Sequence, residues 1–127
     1  MKSRNIYWLI AGFLNLFTFF LHLIGGQISL INPMLESNLD MQVKSEMLGV
    51  WHMASVVLLG ATSLLLYFGF RRKQNPNTEI MKVLGYMYIL FSIGFVGASL
   101  YTGKLAPQWI LLLPIGALTL IGINKNK

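Results

Sequence analysis

The chain has 127 residues, of which 55% are hydrophobic and only 11% are charged, and its mean hydropathy is +0.63. A soluble domain carries about 25% charged residues, and a chain this short cannot bury so much apolar surface in its own core. The composition therefore excludes an ordinary soluble domain and indicates a chain whose surplus apolar surface faces lipid or a partner. The net charge of +6 does not indicate nucleic-acid binding, because the basic residues stand at the ends of apolar segments. The absence of cysteine excludes disulfides and thiolate metal sites.

The sequence predicts one integral membrane domain, residues 1–127, of the all-α class. A membrane-spanning helix needs about 20 mainly apolar residues. Segments of this kind occupy residues 6–31, 47–70, 82–101 and 105–123. Pro114 lies inside the last and shortest span, where it should bend the helix. We therefore predict an up-down-up-down bundle of four transmembrane helices.

The first span carries a stripe of polar and small residues. They recur every three or four positions: Asn15, Thr18, His22 and Gly26. Such spacing places side chains on one face of a helix. Because polar and small residues of membrane helices normally face other helices, we expect this stripe to point into the bundle.

The segment between the first two spans, residues 32–46, is predicted to contain a short interfacial helix. Pro33 suits a first helical position, and Ser37 followed by Asp40 resembles a capping box. The apolar side chains of this segment would then lie on the membrane surface. An irregular loop is the alternative.

The three later spans also have narrow faces of small or polar residues, which we expect to pack against other helices. In the second span this face comprises Gly49, His52, Ser55, Leu59 and Ser63. In the third it comprises Gly85, Ser92 and Ser99, with Tyr88 beside them. In the fourth it comprises Gly116, Thr119 and Gly122.

The basic residues predict the orientation, since Lys and Arg concentrate on the cytoplasmic side of membrane proteins. If the spans alternate, most basic residues fall on the side of the two termini: Lys2, Arg4, Arg71, Arg72, Lys73, Lys82, Lys125 and Lys127. Only Lys44 and Lys104 fall on the other side. We therefore expect both termini to be cytoplasmic. Trp51 and Trp109 then stand near the outer boundary, where tryptophan is enriched.

The chain has only two histidines, and both fall inside predicted spans. His22 comes shortly before the end of the first span and His52 shortly after the start of the second, so each should lie roughly 6–8 Å below the outer surface. Since both belong to inward stripes of antiparallel neighbours, we expect a facing pair. Ionisable residues inside membranes are rare and are functional candidates by default.

Three interpretations of the histidines stay open. They hydrogen-bond neighbouring helices, or bind a metal ion or haem, or serve a small substrate, a proton path or catalysis. Zinc needs three or four protein ligands, so Glu46, or else Glu36, Asp40 or Gln27, would have to join them. Haem could use both histidines as axial ligands, but only if the two helices are separated. No nucleophile or second catalytic group is evident, so the sequence favours a protein other than an enzyme.

Three short motifs resemble a group of small, uncharacterised bacterial four-helix membrane proteins. They are L-H-L-I-G-G at residues 21–26, N-P-M-L at 32–35 and W-H-M at 51–53, in the first half of the chain. The resemblance implies a four-span bundle and draws attention to His22 and His52. It implies no particular activity or cofactor.

The sequence thus predicts a small protein of a bacterial cytoplasmic membrane with a polar site near the outer face, centred on the histidine pair. This site would bind a small ligand, a proton or a metal ion. The candidate ligand-binding residues are His22, His52, Asn15, Thr18, Gln27 and Ser55, and the candidate metal ligands are His22, His52 and Glu46. The alternative is an accessory or structural subunit in which the histidines only join helices. The expected partners are the lipid bilayer and either a second copy or a larger membrane complex.

Overall fold

The structure, a computed structural model, describes residues 4–71 and 78–125. Its helices are α1 (Ile6–Phe20), α2 (Asn32–Glu36), α3 (Met41–Phe70), α4 (Thr78–Thr102) and α5 (Trp109–Asn124). A stretch of π-helix, Leu21–Ile31, joins α1 to α2 and is called the π segment below. No strand occurs within the two described ranges. The all-helical prediction is therefore confirmed, with four principal helices.

Three helical stretches are long and apolar enough to cross a membrane: Ile6–Glu36, Met41–Phe70 and Thr78–Thr102. The fourth, α5, is apolar but has only 16 residues. The bundle exposes many large apolar side chains, while a core of residues such as Trp8, Leu65 and Tyr88 is fully buried. An apolar exterior around a small core is the distribution expected of a chain surrounded by lipid.

Capping residues decide where α1 and α3 begin. The Asn5 side chain accepts a hydrogen bond from the backbone N–H of Trp8, and that of Asp40 accepts one from Gln42. Both bonds satisfy donors that have no partner inside the helix. Because Asp40 caps the helix, α3 begins at Met41, six residues before the predicted start of the second span at residue 47.

The π segment continues α1 without a break. At its end the backbone N–H of Asn32 donates to the carbonyl of Gln27, five residues earlier, which is the π-helical pattern. Only Ile31 is buried within this segment. The helix then runs on through α2, so that the chain is helical from Ile6 to Glu36.

α1 lies at the centre of the bundle, in contact with both α3 and α5. Towards α3, the backbone N–H of Asn5 donates to Gly69. Towards α5, the Asn5 amide donates to the Gly122 carbonyl at 2.7 Å and the Trp8 indole donates to Thr119 at 2.9 Å. In each case a residue near the start of α1 meets one near the end of its partner, so each pair of helices is antiparallel.

The face that α3 turns towards α1 differs from the predicted one. The predicted face was Gly49, His52, Ser55, Leu59 and Ser63. The buried residues are Ser55, Leu58, Ala61, Thr62, Leu65 and Gly69, so only Ser55 belongs to both sets. The Ser63 hydroxyl donates to the Leu59 carbonyl of its own helix. A serine that bonds its own helix in this way can lie on either side, since Ser55 makes the same kind of bond and is buried whereas Ser63 is exposed.

Candidate functional site

Asn15 forms a buried polar centre that joins three helices. Its amide group donates to the Leu58 carbonyl at 2.8 Å and to the Thr62 hydroxyl at 3.0 Å, both on α3. Its carbonyl oxygen accepts from the Tyr88 hydroxyl of α4 at 2.6 Å. Both amide hydrogens are thus in use. Asn15 therefore has no donor left for a ligand, and its side chain links α1 to α3 and α4.

Thr18 lies between this centre and His22 in the sequence. Its hydroxyl donates to the Leu14 carbonyl at 2.9 Å, one turn back on α1. The bond satisfies the hydroxyl inside its own helix. Although Thr18 is buried as expected of the stripe, it makes no hydrogen bond to another helix within the described residues.

His22 is held by Trp51 of α3. Its Nε2 lies 3.1 Å from the Trp51 carbonyl oxygen, and the two rings stack with centroids 3.7 Å apart and planes 19° from parallel. A carbonyl oxygen only accepts, so Nε2 carries the hydrogen and donates it. In the neutral ring Nδ1 is then an acceptor, and it makes no hydrogen bond with any described residue. The Ser55 hydroxyl donates to the same carbonyl at 3.1 Å.

Trp51 is seated against the π segment. A Cβ added to Gly26 would overlap the outer edge of the Trp51 indole. A Cβ at Gly25 would meet nothing within 4 Å. Glycine at position 26 therefore allows the close approach that stacks the two rings. The indole Nε1 is buried and has no hydrogen-bond partner among the described residues.

His52 follows Trp51 directly in α3 but takes no part in this contact. It is exposed and lines a shallow groove on the bundle exterior with Gly49, Met53 and Val56. No hydrogen bond or ring contact joins it to His22 in the part of the chain that the structure describes. In the described structure, His22 thus pairs with Trp51, and His52 is exposed.

The remaining candidate residues lie apart from this pair. The Gln27 amide donates to the Asn32 side chain at 3.0 Å, and Glu46 accepts from Gln42 at 2.7 Å, both on the surface. Among residues 4–71 and 78–125, no three His, Cys, Asp or Glu side chains are grouped so that they could hold a metal ion. The described structure therefore does not bring His22, His52 and Glu46 together as a set of three ligands.

Sequence reasoning missed three members of these contacts: Trp51, Thr62 and Tyr88. Trp51 was assigned to the aromatic belt, and Tyr88 was placed only beside the polar face of its helix. One signal was available for Trp51, because the glycine pair Gly25-Gly26 begins three residues after His22 on the helix that faces Trp51. In comparisons with protein-family models, curated proteins and solved structures, nothing matches this chain.

Proposed function

We propose that the chain is an integral protein of a bacterial cytoplasmic membrane that crosses the bilayer four times, with both termini in the cytoplasm. Three membrane-length helices and the antiparallel contacts of α1 support an up-down-up-down course. The distribution of Lys and Arg supports the orientation. α5 covers only about 24 Å at 1.5 Å per residue, so residues 105–108 would complete its crossing.

The proposal places residues 32–46 at the outer surface. Leu35, Leu39 and Met41 expose apolar side chains there. The Lys44 ammonium donates to the Leu35 carbonyl at 2.7 Å and so satisfies one backbone group near the end of α2. An apolar side beside charged groups is typical of a segment that lies in the membrane interface. α2 would thus be the predicted interfacial helix, although it continues the first span directly.

We propose further that His22 and Trp51 form a polar site near the outer face that binds a small ligand, a proton or a metal ion. The observation that carries this proposal is the pair of unused groups on the two stacked rings. Among the described residues, His22 Nδ1 has no hydrogen-bond donor, and the buried Trp51 Nε1 has no acceptor. Leaving a buried donor without a hydrogen bond costs about 1–3 kcal/mol of free energy. A bound ligand or ion that supplies the missing bond would remove this cost.

The two groups define the chemistry of the site. A proton on Nδ1 would convert the ring to an imidazolium stacked on the indole face, which attracts cations. A metal ion would use the Nδ1 lone pair, which neutral imidazole offers. A small neutral ligand would accept from the indole N–H and donate to Nδ1. In each case His22 is the binding residue and Trp51 orients its ring.

A fluorescence titration tests the site, because an imidazolium stacked on an indole quenches its emission. Wild-type protein in lipid nanodiscs is titrated from pH 8 to pH 5, together with His22→Gln, Trp51→Phe and the matched control His52→Gln. We expect quenching in the wild type and in His52→Gln only. The proposal of a protonatable site is overturned if the tryptophan emission of the wild type does not change with pH, or if it falls equally in His22→Gln.

Metal analysis and an optical spectrum of the same preparations test the other occupants. A metal or chromophore present in the wild type and in His52→Gln but lost in His22→Gln would identify the ligand. Protein free of both, with no titration, would favour the second candidate function, an accessory or structural subunit. One observation favours that candidate: at the bundle centre the Asn15 side chain bonds both Thr62 of α3 and Tyr88 of α4, so its polar groups only join helices.

A further inference from the structure

Two arginines at the inner end of the bundle lie on aromatic rings. The Arg4 guanidinium carbon is 5.5 Å from the centroid of the Phe70 ring, and that of Arg71 is 4.4 Å from the Tyr67 ring. Both arginines are exposed. A guanidinium that packs over a ring by its flat face keeps its N–H edge free for an oxygen ligand.

The two arginines belong to one corner of the molecule. The backbone N–H of Asn5, next to Arg4, donates to the Gly69 carbonyl at 3.1 Å. This bond fixes the start of α1 against the end of α3. The Phe70 ring also meets Phe13 of α1 edge-on at 6.5 Å. The guanidinium groups therefore flank a single junction between α1 and α3.

No carboxylate offsets these charges in the described ranges. Neither arginine has an acidic partner there, and Glu79, the acid of α4, is paired with Lys82 at 2.7 Å. The other acids, Glu36, Asp40 and Glu46, stand at the opposite end of the bundle. The corner thus holds two exposed positive charges that have no acidic partner within the described ranges.

We propose that this corner binds the phosphate of an anionic phospholipid in the inner leaflet. Guanidinium groups bind phosphate oxygens through paired N–H donors, and basic pockets at the cytoplasmic ends of membrane helices bind anionic headgroups. The inference rests on the membrane orientation proposed above. It assigns Arg4 and Arg71 to one headgroup.

The surroundings favour a lipid over free phosphate. The side chains of Phe13, Tyr67 and Phe70 are about half exposed. Tyr67 and Phe70 lie under the two guanidinium groups, and Phe13 meets Phe70 edge-on. They form an apolar wall that runs from the charged corner towards the middle of the bundle. An acyl chain attached to the bound phosphate would cover this wall, whereas inorganic phosphate would leave it bare.

Lipid binding to the detergent-purified full chain tests the proposal. Thermal shift and native mass spectrometry are recorded with phosphatidylglycerol, with phosphatidylcholine and with inorganic phosphate. The variant Arg4→Gln/Arg71→Gln is compared with Lys82→Gln/Lys125→Gln, which removes the same charge from the same end. We expect wild type and the lysine variant to bind phosphatidylglycerol more tightly than phosphatidylcholine. In the arginine variant the ratio of the two affinities should be roughly tenfold smaller.

Three results overturn the proposal. They are an equal loss in both double variants, no preference for phosphatidylglycerol in the wild type, and a shift by inorganic phosphate as large as that by the lipid. These failures differ from a failure of the proposed membrane insertion. Reconstitution into nanodiscs tests insertion separately, because a chain that does not insert would not enter them. A failed lipid site leaves an inserted protein without headgroup preference.

Discussion

Asn15 and Trp51 both bury polar groups, but only those of Asn15 are hydrogen-bonded. Asn15 is fully buried, and both of its amide hydrogens and its oxygen are hydrogen-bonded. The Trp51 indole N–H is buried without a partner in the described structure. A buried polar group that is hydrogen-bonded stabilises the packing of helices. One without a partner is unfavourable and gains free energy when a ligand supplies the missing hydrogen bond. The contrast separates the structural residues of the bundle from the candidate site.

Replacing Asn15 should weaken the bundle without affecting the proposed site. We expect Asn15→Leu to lower the free energy of unfolding by about 1–2 kcal/mol, since hydrogen bonds between membrane helices average about 0.6 kcal/mol and reach about 1.7. Tyr88→Phe, which removes a single bond, should cost less. Denaturation in mixed detergent micelles measures both changes.

The double variant Asn15→Leu/Tyr88→Phe supplies the control for that prediction. Because the two residues share a bond, the combined loss should be smaller than the sum of the single losses. A strictly additive result would contradict the direct coupling of α1 to α4 through this hydrogen bond.

At the scale of helices, the sequence predicted their number and approximate extent but not every face. Long apolar runs gave four helices, because the thickness of the membrane sets a length that few other segments reach. The inward face of α3 was misjudged, because a serine that bonds its own helix can lie inside, as Ser55 does, or outside, as Ser63 does. A glycine has no side chain that would indicate which side it faces. The π segment was also missed, because no residue pattern distinguishes a widened helix from an α-helix.

Close packing of α4 on α5 depends on a glycine in each helix. A Cβ at Gly116 would lie 2.9 Å from the Gly85 carbonyl oxygen and 3.1 Å from the Tyr88 Cβ. These backbone and near-backbone atoms cannot move aside separately from their helix. The two helices are therefore held at a distance that only glycine permits.

Gly116→Ala should force α4 and α5 apart. We expect a loss of about 1–3 kcal/mol in the free energy of unfolding, the usual range for overpacking. The matched control is Gly94→Ala on α4, where an added Cβ meets nothing within 4 Å. Thermal unfolding in one detergent compares the two. Equal behaviour of both variants would contradict the close approach.

At the scale of the whole molecule, the proposed orientation predicts which loops are accessible from outside the cell. The native chain has no cysteine, so single substitutions can be labelled cleanly. We expect Ser45→Cys and Lys104→Cys to react with an impermeant maleimide in intact cells. Lys125→Cys should react only after the membrane is opened. Labelling of Lys125→Cys in intact cells would show the opposite orientation. Arg4 and Arg71 would then lie in the outer leaflet.

The central place of α1 has a consequence for how the chain is made. The Asn5 amide and the Trp8 indole bond to carbonyls of Gly122 and Thr119, 117 and 111 residues further along. The ribosome delivers the first span to the translocon well before those carbonyls exist. In the proposed arrangement, α1 therefore forms these two hydrogen bonds only after α5 has been inserted. Final assembly is thus an event that follows translation, and interruption of synthesis before α5 would strand an incomplete intermediate for membrane proteases.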